Sequence, residues 1–209
     1  MKTIDLSHTL DENISVYPGT PKPKIEIIAT HEKNGYAELL LTFPTHTATH
    51  LDAPFHMIPG GKRLTDLPVE QFAGKAIVIP YPKNEFDLQW IKQYEEQINS
   101  VDFVIIQTGA EQRWKTGKYC DDYPALTAEA AKWLTTKHLK GIGLDAISID
   151  KPDATEFIIH KIILGSGMII IENLKNLEQL KGKIFDFYAL PLPVKDADGA
   201  PCRAIAITD

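Results

Sequence analysis

Residues 46–56 read HTATHLDAPFH, so three of the chain's seven histidines stand within eleven positions, with Asp52 among them. Imidazole nitrogens and carboxylate oxygens are donors for a borderline or moderately hard divalent ion such as Zn²⁺ or Mn²⁺. Packing alone gives no reason to gather so many groups that are costly to desolvate. Thr45, Thr47 and Thr49 are poor helix formers, and Pro44 and Pro54 bracket the segment, which favours an extended course. Side chains then alternate, and His46, Ala48, His50 and Asp52 project to one side. One helical turn is the alternative, and it too puts His46 and His50 on a shared face. Either way Ala48 leaves room between the imidazoles for something small. Three protein ligands with open positions describe a catalytic ion, because a structural site is closed by a fourth. His56 lies two period-two steps beyond Asp52, past Pro54, and suits a proton-transfer group better than a ligand. An imidazole with an ordinary pKa near 6.5 can both take and return a proton.

Two candidates follow downstream. His160 sits between EFII and the apolar run IILGSG, and Glu172 closes MIIIEN. A glutamate ending such a run is poorly placed for a solvated face; its other reading is a first-turn residue complementing the dipole of a short helix. Asp145 and Asp150, in GLDAISID, end a strand, where a functional group and a capping or turn role are equally open. His8 and His31 have no ligand-like neighbours, and His138 falls in a last helical turn, where a cation offsets the dipole. All three are read as non-catalytic. No G-x-S-x-G occurs, which argues against a serine-nucleophile esterase.

The elements that must position these groups are mostly strands. Runs rich in branched residues are KIEIIAT, AELLLTF, KAIVIPY, DFVIIQT, GIGLDAI, GMIIIEN, IFDFYAL and RAIAIT. Helices are expected at 87–98 with Asp87 as N-cap, at 127–139 with Thr127 as N-cap, and at 173–180 before Gly182. Prolines punctuate turns at YPGTPKPK, IPYPKNE and LPLPV. The order is β-rich, then β-α-β-α-β, then β again. It predicts one α/β domain over 1–209 with a mixed β-sheet core, parallel in the middle where strands are buried on both faces, and a few covering helices.

Composition fits a soluble chain, with 44% hydrophobic and 24% charged residues among 209. A net charge of −6 with dispersed lysines and arginines argues against nucleic-acid binding. No apolar run approaches the roughly 18 residues of a membrane span, and MKTIDLSHTL lacks a secretory apolar region. Cys120 and Cys202 have no CxxC partner and read as reduced thiols, so a cytoplasmic location is expected.

HTATHLDAPFH resembles the H-x-G-T-H-x-D-x-P-x-H motif of the metal-dependent cyclase family, which includes bacterial kynurenine formamidases and isatin hydrolases. DLSHTLDENISVYPGTPKP, GLDAISID, HKIILGSGMIIIENLKNL and DGAPCRAIAI resemble further family segments in the same order, so the likeness spans nearly the whole chain. The resemblance implies a swivelling β/β/α domain. It implies that His46, His50, Asp52, His160 and Glu172 hold one or two divalent ions, Zn or Mn, with Asp52 and Glu172 bridging. His56 matches the family's catalytic histidine. Members form dimers or higher assemblies, which implies a homodimer or homotetramer whose partner chain helps close the site. Ala48 departs from the motif's glycine, and its backbone is therefore expected in an ordinary or slightly shifted region.

The implied activity is hydrolysis of a small-molecule amide by water that a metal acidifies from a pKa of 15.7 to about 7. N-formylkynurenine is the leading substrate, and isatin-like lactams are the alternative. A metal- or ligand-binding domain without turnover is the rival class, and it has no need of His56. Tyr17, Trp114, Tyr119 and Tyr123 are candidates for a stacking wall, although the loop GAEQRWKTGKYCDDYP equally reads as aromatics packed on the domain. Arg113 or Arg203 could meet a substrate carboxylate.

Overall fold

The computed structural model describes residues 1–80 and 85–208, so the proline turn IPYPKNE and the end of the strand KAIVIPY lie in part outside the described residues. Ten strands and five short α-helices occur among them. The strands are β1 Lys2–Asp5, β2 Lys24–Ala29, β3 Glu38–Thr42, β4 His50–Asp52, β5 Ala73–Pro80, β6 Phe103–Gln107, β7 Gly141–Leu144, β8 Ile169–Glu172, β9 Ile184–Pro191 and β10 Gly199–Thr208. The helices are α1 His31–Asn34, α2 Leu88–Lys92, α3 Glu95–Ile98, α4 Ala128–Leu134 and α5 Ile158–Gly165.

Eight strands form one sheet in the order β1-β10-β4-β8-β7-β6-β5-β9, and β9 pairs back onto β10. That last pairing closes the sheet into a barrel. Strands β5 to β8 run parallel, joined by crossovers that carry α2 and α3, then α4, then α5. The remaining pairings are antiparallel.

Period-two alternation explains why the central strands read as unbroken apolar runs. Phe103, Ile105, Ile169 and Ile171 fill the barrel with Phe185, Phe187 and small Ala204 and Ala206. Their neighbours Val104, Ile106, Ile142 and Ile170 face outward and bury against Ile91, Ala131, Leu134 and Ile163 of the helices. The mixed sheet with covering helices is as expected.

The helices are shorter than their sequence pattern suggests. Both N-caps form, Asp87 accepting from the Trp90 N–H at 2.7 Å and Thr127 from the Ala130 N–H at 3.2 Å. The 87–98 stretch breaks into α2 and α3. Helix α4 stops at Leu134, where the Thr135 and Thr136 hydroxyls each donate to a carbonyl three residues back, competing with the backbone ladder. His138 consequently lies beyond the helix rather than in its last turn. The segment 173–180 yields only a 3₁₀ turn, Leu177–Leu180, because Asn173 and Asn176 adopt positive φ of 58° and 61°. Strand β1 and helices α1 and α5 are elements the sequence pattern does not announce, whereas β4 follows the extended course expected around His50.

Among the described residues, strands β2 and β3 pair only with each other and form a separate hairpin. Ile27, Ile28, Leu39, Leu40 and Leu41 are exposed on it, Ile27 by 71%. No helix among the described residues is long and apolar enough to cross a membrane.

Candidate metal centre

The three-residue strand β4 carries His50 and Asp52 into the barrel wall. It pairs with β8 so that His50 lies directly opposite Glu172, which answers the choice between an extended and a helical course for these two residues. His160 arrives from the first turn of α5, the helix packed on β8. All four side chains are buried, Asp52 completely.

Their donor atoms converge. His50 Nε2 stands 3.4 Å from Asp52 Oδ1 and 3.6 Å from Glu172 Oε2. His160 Nε2 stands 3.6 Å from Asp52 Oδ2 and 3.4 Å from Glu172 Oε1. Ligands set tetrahedrally about 2.0–2.1 Å from a zinc ion are themselves about 3.4 Å apart. Asp52 Oδ2 is buried and makes no hydrogen bond, a costly state for a carboxylate oxygen unless a cation faces it.

Each imidazole is also oriented from behind, as ligating histidines are. His50 Nδ1–H donates to the Ala48 carbonyl at 2.9 Å. His160 Nδ1–H donates to Asp150 Oδ2 at 2.6 Å. The Asp150 carboxylate also accepts the Ile159 and His160 backbone N–H groups, at 2.8 and 3.1 Å, so it starts α5 and aims its histidine at once. Its role is therefore more than a turn. Glu172 Oε1 accepts the Ile149 N–H at 2.9 Å, a fixed interior position rather than a helix first turn. Donor set and orphaned oxygen fit a divalent ion.

His46 reaches the same carboxylate from another side. Its Nδ1 lies 2.7 Å from Asp52 Oδ1, and its Nε2–H donates to Asp198 Oδ2 at 2.8 Å. Burial opposes charging this ring, but Asp52 and Asp198 on its two nitrogens outweigh burial and raise its pKa to about 10. Burial likewise works against a charged Asp52, yet His46 beside it and the His160 and His50 contacts hold it well below the usual carboxylate range. The same competition raises His160. A divalent cation held here would compete with protons for these imidazoles, which would couple its uptake to proton release. His56 ends a one-turn 3₁₀ helix, Pro54–His56. Its ring lies 3.9 Å from that of His46, centroid to centroid, and its Nδ1–H donates to Asp198 Oδ2 at 3.2 Å.

Ala48 corrects an expectation. Its φ is 54°, squarely left-handed, in spite of its Cβ. The turn is held by its carbonyl, which accepts from His50 and from the Asn173 amide at 2.8 Å, and Asn173 is held in turn by the Tyr119 hydroxyl at 2.7 Å. Such a conformation costs a non-glycine residue about 1–2 kcal/mol, which the surrounding bonds must offset.

Above the donors lies a cavity of about 270 Å³ whose walls include Tyr17, Pro44, Met57, Ile147 and Phe157, with His56 at its side. Of the proposed aromatic wall only Tyr17 lines it. Tyr119 and Tyr123 are buried in the core, and Trp114 stacks on His8 at 4.0 Å between ring centroids. Phe157, at φ 50° before α5, is the aromatic the sequence did not single out. Neither proposed arginine lines the cavity: Arg203 pairs with Asp5 at 2.9 and 3.0 Å, and Arg113 donates to the Asp122 carbonyl.

A family model described as "Putative cyclase" matches residues 4–151, more than half the chain. The chain belongs to the cyclase family. Among curated relatives of this cyclase-family chain, a kynurenine formamidase of Bacillus cytotoxicus is 32% identical over 204 residues, covering 97% of this chain and 95% of its own. One of Bacillus thuringiensis (strain Al Hakam) is 33% identical over 210 residues, covering 98% of each. Isatin hydrolase A from Labrenzia aggregata superposes with a TM-score of 0.86 at 25% identity, covering 98% of this chain and 93% of that one. A structure described as a "potential metal-dependent hydrolase with cyclase activity" superposes at 0.81 and 26% identity, covering 98% and 96%. The mixed α/β fold with few helices is thus that of solved cyclase and isatin hydrolase structures, as the motif resemblance implied, and the closure of its sheet into a barrel is added by the structure.

Proposed function

We propose that this cyclase-family protein is a metal-dependent amidohydrolase that cleaves an aryl formamide of the N-formylkynurenine type. The observation that carries the reading is the cluster beneath an apolar cavity in which donor atoms of His50, Asp52 and Glu172 all lie within 4.8 Å of one another, His160 Nε2 stands 3.6 and 3.4 Å from the other oxygen of each carboxylate, and one Asp52 oxygen is orphaned. These residues would hold the ion, joined by His46 through Nδ1. When bound, Zn²⁺ or Mn²⁺ supplies Lewis acidity toward a carbonyl and lowers the pKa of a water. The apolar walls, Tyr17 and Phe157 among them, take an aromatic ring and exclude bulk solvent. In the net reaction, the oxygen of water joins the formyl carbon, the carbon–nitrogen bond breaks, and formate and the arylamine leave. His56, with Nδ1–H held by Asp198, has Nε2 free to take a proton from water and deliver it to the departing nitrogen. Free Cys120 and Cys202 suit a reducing, cytoplasmic setting.

The protein stripped with a chelator and then reloaded with Zn²⁺ or Mn²⁺, assayed on N-formylkynurenine, formanilide, isatin and cyclic imides, tests this. Formamide hydrolysis should vanish on stripping and return on loading. Activity indifferent to the chelator would count directly against the reading, and cleavage of isatin alone would transfer it to lactams.

We also infer a homodimer or homotetramer. An isolated two-stranded hairpin is marginal in water, and the bare apolar β2–β3 hairpin leads through Phe43 straight to the cavity wall at Pro44. Light scattering should return a multiple of the chain mass; a monomer would refute assembly.

A further inference from the structure

We propose that Asp198 is a positioning residue that sets His46 and His56 together with one carboxylate, the first toward the metal and the second toward the substrate. The inference rests on the function proposed above.

Asp198 sits in the turn between β9 and β10, far from residues 46–56 in sequence. Its Oδ2 accepts from both rings, His46 Nε2–H at 2.8 Å and His56 Nδ1–H at 3.2 Å. Its Oδ1 accepts the Thr45 hydroxyl at 2.9 Å, and its backbone carbonyl accepts the Ala53 N–H at 2.8 Å. Side chain and main chain are thus both tied to the two ends of the histidine segment.

The next residue shows that this turn is shaped around the His46 ring. A Cβ on Gly199 would fall 2.8 Å from His46 Cε1 and 2.5 Å from the Leu51 carbonyl oxygen, so only glycine lets the strand approach. Gly199 pairs directly with Asp52, which brings the Asp198 carboxylate to the far side of His46 from the Asp52 carboxylate.

The consequence follows from the two protons of contact. A carboxylate can only accept, so it selects the tautomer whose N–H points at it. For His46, which meets a carboxylate on each nitrogen, the bond fixes the ring's orientation and keeps Nδ1 turned to the Asp52 side, where the ion would sit. For His56 the bond leaves the Nε2 lone pair as proton acceptor. His50 and His160 each have their own rear acceptor, Ala48 and Asp150, whereas His46 and His56 share one. Their rings lie 3.9 Å apart, centroid to centroid, at 35° to one another, and so are packed together against it.

The test uses Asp198→Asn, which keeps the size and one acceptor oxygen but not a charged oxygen shared by two rings. Zinc affinity, read by competition with a chromogenic chelator, should weaken about 10–100-fold, the usual effect of removing an acceptor behind a ligating histidine. On N-formylkynurenine kcat should drop by about 10²-fold with KM within about twofold, because proton transfer rather than substrate contact is impaired. Nitrogen-15 NMR of the imidazoles in the zinc-loaded wild-type protein should show the His56 proton on Nδ1, and the variant should lose that preference. Zinc affinity and kcat both within about twofold of wild type would overturn the proposal, and so would a wild-type His56 protonated on Nε2. Should the variant not fold, the wild-type spectrum decides alone. If the wild-type protein cleaves none of the substrates, the proposed function fails while zinc affinity and tautomer still judge Asp198.

Discussion

Replacing Asp52 with asparagine is expected to empty the metal centre and abolish activity in one step. Asp52 is the most central group of the cluster: fully buried, 2.7 Å from His46 Nδ1, 3.4 Å from His50 Nε2 and 3.6 Å from His160 Nε2. Asparagine keeps the volume but offers one weak neutral oxygen in place of a charged pair. A divalent ion would then face Glu172 as its one anionic ligand against three imidazoles. Lewis-acid stabilisation of a transition state amounts to several kcal/mol, and each 1.36 kcal/mol is a factor of ten, so kcat/KM should fall by at least about 10³-fold. Metal analysis of the purified variant should show the same loss, with the far-ultraviolet circular dichroism of the wild type preserved. A variant that keeps its ion and its turnover would remove Asp52 from the centre.

The second expectation separates ligation from proton transfer. Changing His56 to alanine should lower kcat by about 10²–10⁴-fold, the usual contribution of a positioned acid–base group, with the ion still bound. The geometry supports the split. His56 hydrogen-bonds Asp198 and packs on the His46 ring, and among the described residues it makes no hydrogen bond to Glu172 or Asp52. Its imidazole nonetheless belongs with a His46 nitrogen and an Asp52 oxygen in a group whose donor atoms all lie within 4.8 Å of one another, which makes ligation the competing role. Metal content is therefore the deciding measurement. Should the ion leave with the imidazole, His56 is a ligand and the acid–base assignment fails. Should turnover survive, the site needs no such group, and a binding role without chemistry gains ground.

Sequence-level reasoning reached the donors along β4 because their chemistry is local: period-two spacing in a threonine-rich, proline-bracketed segment already puts His50 and Asp52 on one side. The parallel core strands were readable for a similar reason. Burial on both faces demands uninterrupted branched residues, and Phe103–Gln107 and Ile169–Glu172 supply them.

Helix α5 was not readable. IIHKIILG is rich in branched residues that favour strands, and its helical course depends on Asp150 capping two of its N–H groups and on packing against α4 and β8. The left-handed Ala48 was unreadable too, since beside the local bond from His50 its carbonyl is held by Asn173, 125 residues away, which Tyr119 holds in turn.

Asp198 marks the limit most sharply. In DADG it has the composition of any polar turn, and nothing adjacent hints at imidazoles. Local spacing can declare which donor types a segment carries and which way they alternate. Closure of the barrel through the β9–β10 pairing, a contact between residues far apart along the chain, chooses the acceptor behind each ring and hence which nitrogen is left to work.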